Sequence, residues 1–395
     1  MDSIKTGVGK SNNADAQKAG QEACQQAIDQ IGAKPNLIMV FSSVALNQEQ
    51  MLQGINDVAQ GAMIIGCSDS GEIITQGSVR GHVVAMAIAS DQIKFTVGLG
   101  KNVHLDSHRA GQEAAEEVIK KAPEKISLFI SLLEGLTGNG AAIVRGFKAA
   151  LGEHFPIIGG SAGDDFAFKK TFVYYQNQVL NDTVIGIGLS GNFSWGVGVK
   201  HGWEPIGLPM RVTKSEGAII KELDNKPALS IYQDYFGKRA EELIKEPIAK
   251  MAYTYPLGMT VKDSSELLIV DVVIANEKGE ITCAAEVLEG SEVRLMLGDP
   301  EKAIQAAKEA AENALSQLNG VAPKAIFVFD CMARHKLLGG QINEEIQAIQ
   351  NVLGKEIPLI GFYTYGEQAP LGSNINLNTC NSVFHNETVC LLVLG

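Results

Sequence analysis

The sequence predicts an α/β protein of two domains, built from repeated α-β-α-β units that form mixed sheets covered by helices. Three observations carry that expectation. One phrase is written three times, as Met63-Ile64-Ile65-Gly66-Cys67-Ser68-Asp69-Ser70-Gly71-Glu72, as Pro156-Ile157-Ile158-Gly159-Gly160-Ser161-Ala162-Gly163-Asp164-Asp165, and as Pro358-Leu359-Ile360-Gly361-Phe362-Tyr363-Thr364-Tyr365-Gly366-Glu367. Each copy is an apolar run, a glycine, a few small or polar residues, then Gly and a carboxylate, the pattern of a buried strand ending in a polar turn. Alanine-rich stretches at helical spacing precede the strands, and the order helix, strand, helix, phrase recurs from Gly71 to Gly163, which marks a duplicated unit.

Composition sets the class. The chain has 395 residues, 45% hydrophobic and 6% aromatic, and a net charge of −12, so it can bury a large core and offers no cationic surface for nucleic acid or anionic membrane. Met1 to Asn13 read as a polar, frayed end without a leader's apolar segment, and no apolar run reaches the roughly 18 residues of a membrane span. The expected location is cytoplasmic. Six cysteines form no CxxC pair and read as buried, reduced thiols.

The elements follow in order. Ala16, Ala19, Ala23, Ala27 and Ile31 share a helix face, and after Pro35 comes the strand Leu37 to Phe41. Asn47 caps a second helix with Met51, Ile55, Val58 and Ala59 beneath. The first phrase follows, then strands over His82 to Ala89 and Phe95 to Gly98. The second pass runs through Ala110-Gly111-Gln112-Glu113-Ala114, the strand Ile126 to Leu133, a helix with Ile143, Val144, Phe147 and Leu151, and the second phrase. Thr171 to Gln176 and Thr183 to Leu189 read as a hairpin turned at Asn181-Asp182. The pattern changes from Ser194 to Lys262, with a domain boundary placed at Asp224-Asn225-Lys226-Pro227. Leu267 to Ala275, Ile281 to Val287 and Glu292 to Leu297 are strands. Asp299 caps a helix that opens with Pro300. The strand Ala325 to Phe329, a helix with Ile342, Ile346, Ile349 and Leu353, the third phrase and the strand Val389 to Leu394 close the chain.

Enzyme signals lack their required context. Gly159-Gly160-Ser161-Ala162-Gly163 matches a nucleophile elbow, but Asp164-Asp165-Phe166-Ala167-Phe168 leads into a strand where the elbow needs a helix. Gly135-Leu136-Thr137-Gly138-Asn139-Gly140 reverses the dinucleotide spacing and has no Walker lysine, although its backbone N–H groups at a helix start suit a carboxylate. Glu72, Asp164, Asp165 and Glu367 are placed either as acid and base or as turn residues that accept backbone N–H groups. Asp330, Cys331, Arg334 and His335 follow a buried strand, with an Asp330–Arg334 ion pair as the plain structural alternative.

Taken together, Gly66 to Glu72, Gly159 to Asp165, Asp330-Cys331-x-x-Arg334, Gly361 to Glu367 and Phe384-His385-Asn386-x-Thr388 resemble the FIST family of bacterial sensory proteins. The resemblance covers about residues 30 to 390. It implies a tail and first helix over 1–30, a FIST N domain over 31–224 and a FIST C domain over 225–395. It also implies a small-ligand-binding sensor without catalysis of its own. The chain shows none of the kinase, GGDEF or chemoreceptor segments fused to other members, so output is expected to pass in trans to a partner such as a histidine kinase or a cyclic-dinucleotide enzyme. The expected ligand-binding residues are Cys67, Ser68, Glu72, Ser161, Asp164, Asp165, Asp330, Cys331, Arg334, Tyr363, Tyr365, Glu367 and Asn386. Arg334 with Tyr363, Tyr365 and Glu367 suits a small amphoteric molecule such as an amino acid, the guanidinium gripping its carboxylate. Some stand-alone members bind haem and report nitric oxide, which makes His335, His201 and His385 the candidate haem ligands. The competing reading is an enzyme acting on a carboxylate or amide at the Gly-Asp-Asp and Gly-Glu turns.

Overall fold

The computed structural model describes residues 4–247, 250–262 and 264–395; Met1, Asp2 and Ser3 of the expected frayed end lie outside them. The rest of that end does not fray. Ile4–Ser11 is strand β1, whose Ile4 and Val8 enter the core while Gly7 and Gly9 press flat against the following helix. The chain then builds its first unit from α1 (Ala16–Ile31), β2 (Leu37–Ser42), α2 (Gln48–Val58), β3 (Met63–Ser68), the short hairpin β4 (Glu72–Ile74) and β5 (Gly77–Val79), and β6 (Val83–Ser90). Asp15 and Asn47 cap the two helices by accepting from Lys18 and Gln50 N–H, as the sequence predicts.

The second unit repeats the first. It runs β7 (Ile93–Lys101), α3 (Ser107–Lys121), β8 (Ile126–Leu133), α4 (Gly140–Leu151), β9 (Ile157–Ser161), the hairpin β10 (Val173–Tyr175) and β11 (Gln178–Leu180), and β12 (Thr183–Gly191). The third opens with β13 (Trp195–Lys200) and is interrupted at once by an inserted sheet. That insertion holds β14 (Glu204–Pro205), β15 (Met210–Glu216), β16 (Ile219–Leu223), β17 (Lys226–Pro227), α5 (Ser230–Phe236), α6 (Glu242–Lys245), α7 (Lys250–Thr254), β18 (Leu257–Thr260), β19 (Leu267–Val270), β20 (Val272–Ala275), β21 (Ile281–Cys283) and β22 (Glu292–Leu297). The unit resumes with α8 (Pro300–Gln317), β23 (Ala325–Cys331), α9 (Met332–Leu338), α10 (Ile342–Leu353), β24 (Leu359–Thr364), the hairpin β25 (Glu367–Pro370) and β26 (Ser382–His385), and β27 (Val389–Leu394).

The three sheets share one strand order, β1-β6-β2-β3-β10-β11, β7-β12-β8-β9-β25-β26 and β13-β27-β23-β24-β4-β5. Each ends on a hairpin lent by another unit. The first unit's β4 pairs with β24, the second's β10 with β3, and the third's β25 with β9. The exchange is cyclic, so the units are interlocked around an approximate threefold axis. One face of every sheet contributes to a single central core, where Phe41, Ile130, Phe327, Phe329 and Phe362 meet. The outer faces are covered by α1 with α2, α3 with α4, and α8 with α10. The inserted nine-stranded sheet has a core of its own, with Tyr232, Leu243, Leu257 and Leu295 buried in it.

One expectation is corrected here. Thr171 to Gln176 and Thr183 to Leu189 do not pair with each other; β10 pairs with β11 and β3, while β12 pairs with β7 and β8. Asn181-Asp182 therefore carries the chain between sheets, and the tight turn is made one step earlier at Gln176, in left-handed conformation. The stretch Asp224–Pro227, where the sequence places a domain boundary, lies within the inserted sheet, where β16 pairs with β17 at Glu222 and Pro227. Among the described residues no helix is long and apolar enough to cross a membrane. All six cysteines are free and buried.

Candidate ligand site where the three units meet

The three phrases end their strands on the axis and are joined there by main-chain hydrogen bonds. Ser70 N–H donates to Tyr363 O and Tyr363 N–H to Gly71 O, at 3.1 and 2.9 Å. Gly163 N–H donates to Ser68 O and Asp165 N–H to Asp69 O, both at 3.0 Å. Ser161 N–H donates to Gly366 O at 2.8 Å, and Tyr365 N–H to Ser161 O at 3.1 Å. Each turn thus bonds the other two, a closed ring that satisfies polar backbone where no water reaches.

Inside the ring the expected site residues are mostly spoken for. Ser68 Oγ donates to Gly163 O at 2.6 Å and accepts from Phe172 N–H, while Ser161 Oγ accepts from Gln368 Nε2 at 3.2 Å. Neither hydroxyl is bonded to an imidazole, amine or carboxylate, so neither has the general base that an acyl-transfer nucleophile requires. Cys67 and Cys331 are wholly buried and burial pushes both thiols up, away from the reactive thiolate. Glu72 accepts from His82 N–H at 2.8 Å; Glu367 accepts from Thr388 N–H and from the Thr364 hydroxyl. Burial raises Asp69 and Glu72 well above the usual carboxylate range and lifts Glu367 to about 8, which favours the neutral form of these three acids. Asn386 Oδ1 accepts from Asp271 N–H at 3.2 Å and ties the last turn to the inserted sheet.

Arg334 is not a ligand clamp. The residue is fully buried, and all five of its donors meet protein acceptors. Nε and Nη2 go to Glu345, Nη2 also to Ala303 O at 2.9 Å, and Nη1 to His201 O and Glu387 O. Asp330 Oδ1 lies 3.1 Å from Nε, an ionic contact without hydrogen-bond alignment. The arginine binds α9, α8, α10 and the end of β13 into one block, the structural alternative that Asp330–Arg334 already suggested.

Above the ring lies a junction to which every unit contributes. Arg80, between β5 and β6, comes from the first unit; Phe166, in the loop after β9, from the second; His335 and Lys336, on α9, from the third. The Arg80 guanidinium lies 5.2 Å and the Lys336 ammonium 5.4 Å from the Phe166 ring centroid, within cation–π range. The His335 ring is 5.5 Å from Phe166 and meets the edge of Tyr363 at 4.7 Å. Tyr363 is buried. Tyr253 of α7 faces Lys336 from the inserted sheet at 6.0 Å. Among the described residues no carboxylate stands within ion-pair distance of Arg80 or Lys336. Burial lowers the Lys336 ammonium and brings His335 down to about 4, so the imidazole is neutral.

The loop that presents Phe166 is held by force of hydrogen bonding. Asp164 accepts from the N–H groups of Phe168, Lys169 and Lys170 at 2.8, 2.6 and 2.9 Å and from the Tyr365 hydroxyl. Asp165 accepts from Ser43 Oγ at 2.6 Å. Phe168 stacks on Tyr365 at 4.8 Å. Asp165, Phe166 and Phe168 have φ of 56°, 65° and 51°, left-handed conformations that cost bulky residues energy and concentrate at functional sites. The segment after Asp165 is a loop that leads into the strand β10, as the sequence predicts.

Arg80, Phe166 and Lys336 were absent from the sequence-based set. Arg80 stands alone in a turn, Lys336 reads as a surface helix residue, and only the two phenylalanines inside a polar turn gave a signal. The histidines are placed less favourably for haem. His385 is buried with Nε2 on Ala369 O at 3.0 Å, and His335 is flanked by the rings of Phe166 and Tyr363. His201 accepts from Trp203 N–H and borders a polar cavity of about 260 Å³ lined by Lys200, Glu204, Glu266, Lys302 and Glu309. None of the three faces the apolar slot a haem needs, so the residues present do not fit the group. No cluster able to hold a metal ion occurs among the described residues. A larger groove of about 690 Å³, lined by Ile126, Leu151, Phe155, Trp195 and Leu377, gathers none of the expected site residues.

Comparison with known proteins locates this architecture. The FIST N domain model matches residues 36–226 and the FIST C domain model residues 228–370. An uncharacterised protein of Methanocaldococcus jannaschii is 25% identical over 382 residues, covering 89% of this chain and 73% of its own. An uncharacterised protein of Mycobacterium tuberculosis is 24% identical over 379 residues, covering 94% and 96%. Among solved structures, a cyanuric acid hydrolase from A. caulinodans aligns over 99% of both chains with a TM-score of 0.38 and 10% identity.

Proposed function

We propose, for a chain that belongs to the FIST family of sensory, ligand-binding signalling domains, that it binds one small molecule at the three-unit junction and reports its presence to a separate protein. The observation that carries this reading is the convergence of Arg80, Phe166, His335 and Lys336 from three interlocked units. A ligand seated there touches all three at once, so its binding energy can favour one relative arrangement of the units over another. Two cations without carboxylate partners supply charge, and aromatic rings supply walls. The serines of the turns, lacking a base, favour binding over turnover.

The test begins with the protein as purified. Denaturation followed by mass spectrometry of the released small molecules identifies what it carries, and calorimetry returns that molecule to the emptied protein. One molecule bound per chain, recovered unchanged after long incubation and lost in the Arg80→Ala, Lys336→Ala double variant, is the expected result. Consumption of the molecule would make the protein an enzyme, and undiminished binding in the double variant would move the site elsewhere.

A further inference from the structure

Phe166 is an unusual residue to find where it is. A bulky side chain is held at φ 65°, in a loop whose backbone is pinned by Asp164 on one side and by Asp165 on the other. What the strained conformation achieves is to deliver one aromatic ring between two cations. Phe166 is half-buried, and neither Arg80 nor Lys336 makes an ion pair there; Asp271 and Glu246 act on Lys336 from beyond ion-pair distance. The benzyl group meets both cations with its ring and leaves them without a carboxylate in ion-pair contact.

We propose that Phe166 is a built-in plug occupying the ligand's place, and that the ligand is a planar, ring-shaped anion which displaces it. The inference rests on the reading of this junction as a sensory site and names the chemical class that site takes. Planarity follows from the slot, which already accommodates a flat ring at 5.5 Å from the His335 imidazole. Negative charge follows from Arg80 and Lys336, whose attraction to an anion in a partly desolvated site exceeds their attraction to an aromatic face. Burial raises Asp69 and Glu72, the acids below, towards their neutral forms, which weakens their opposition to an anion. The Tyr363 ring packs perpendicular to the same histidine at 4.7 Å.

Displacement has a visible consequence. When the ring leaves, the loop 165–170 loses the contact that holds its middle, while Asp164 keeps its foot. Lys169 and Lys170, already exposed, then become better substrates for trypsin. The plug also taxes affinity, since ligand binds only the fraction of molecules whose slot is open.

The experiment uses benzoate as a planar anion, cyclohexanecarboxylate as a non-planar anion and benzamide as a neutral ring. Calorimetry compares wild type with Phe166→Ala and with that variant further carrying Arg80→Ala or Lys336→Ala; Phe168→Ala, which removes a ring outside the slot, is the control. Expected are benzoate binding tightened about tenfold or more by Phe166→Ala alone, weaker binding of the other two probes, and loss of the gain when either cation is removed. Benzoate should also speed tryptic cleavage at Lys169 and Lys170 in the wild-type protein, a readout that needs no variant. The proposal is overturned if a folded Phe166→Ala protein binds benzoate no tighter than wild type, if cyclohexanecarboxylate binds as well, or if benzoate slows or leaves unchanged the cleavage of the loop. These outcomes leave the sensory reading standing as long as the molecule recovered from the protein is bound at the junction and returned unchanged. Consumption of that molecule fails the sensory reading whatever Phe166 does.

Discussion

Arg334 shows how a residue type that suggests recognition can be wholly committed to structure. Removing it leaves Asp330 and Glu345 buried without their cation, and breaking a buried pair in this way costs about 3–5 kcal/mol. Arg334→Ala is therefore expected to lower the urea midpoint by that scale; a ligand-clamp role would instead leave the midpoint unchanged and abolish binding. Glu367 makes a second prediction at the same scale. Its carboxyl is raised to about 8 by burial, against 4.5 in the unfolded chain, so between those values the folded state holds a proton that the unfolded state has released. Stability then falls as pH rises through that window, and Asp271, raised by burial to about 6, adds to the fall over its lower half. Urea midpoints measured from about pH 6.5 to 8, above the range where His201, His335 and His385, lowered by burial to about 4, act in the opposite sense, should decline by an amount equivalent to about 1–2 kcal/mol, and Glu367→Gln should flatten the decline; an equally steep decline in the variant would assign it to other groups. At this scale the sequence announced the right neighbourhood and the wrong division of labour. Residue types and spacing placed Glu72, Ser161, Asp164 and Glu367 at one locus, but which acids are neutral and which arginine is free depend on burial. Those properties are set by chain segments hundreds of residues apart.

Among the elements, the recurring turn was the most legible because its requirements are local. Each copy needs a glycine, although not for one reason. Gly71 and Gly366 take φ of 122° and 155°, while Gly163 has ordinary φ and stands where a Cβ would lie 2.8 Å from Ser70 N and 2.9 Å from Asp69 C. Gly163→Val must push the second turn off the first and break the hydrogen bond to Ser68 O, so a loss of a few kcal/mol is expected by thermal or urea unfolding. An unchanged melting temperature would mean the ring of turns contributes nothing to stability. β1 was illegible for the opposite reason. Its Gly7-Val8-Gly9 offers one apolar side chain in three residues, and the stretch is a strand because it pairs with β6 along its length while both glycines lie against the backbone of α1. The same device recurs at Gly98-Leu99-Gly100 against α3 and Gly196-Val197-Gly198 against α8. A repeat search keyed to close helix–strand packing, not to apolar alternation, would have found the third unit's start before the inserted sheet hid it.

The whole molecule is organised by an exchange that no local signal records. The pattern of strands and helices is the same whether a hairpin folds back on its own sheet or crosses to a neighbour's, because both placements satisfy the same alternation and the same turns. Sequence families accordingly divide the chain at residues 226 and 228, a division of inheritance and not of space. The first part supplies β13 to the sheet of the third unit and lends it β4 and β5; the last part lends β25 and β26 to the sheet of the second. If residues 1–226 are expressed alone, β9 and β4 each lose one partner strand and expose an edge, and β13 loses its sole partner, β27, while apolar surfaces of the central core such as Phe41, Ile130 and Leu132 face water where Phe327, Phe329 and Phe362 should be. This fragment is expected to be aggregated or to lack cooperative unfolding, residues 227–395 likewise, and the two together to recover a soluble complex with the melting behaviour of the intact chain. A fragment 1–226 that is monomeric and unfolds cooperatively by calorimetry would show that the exchanged hairpins are decoration on independent domains, and with that the three-unit junction at Phe166 would lose its claim to link the movement of one half to the other.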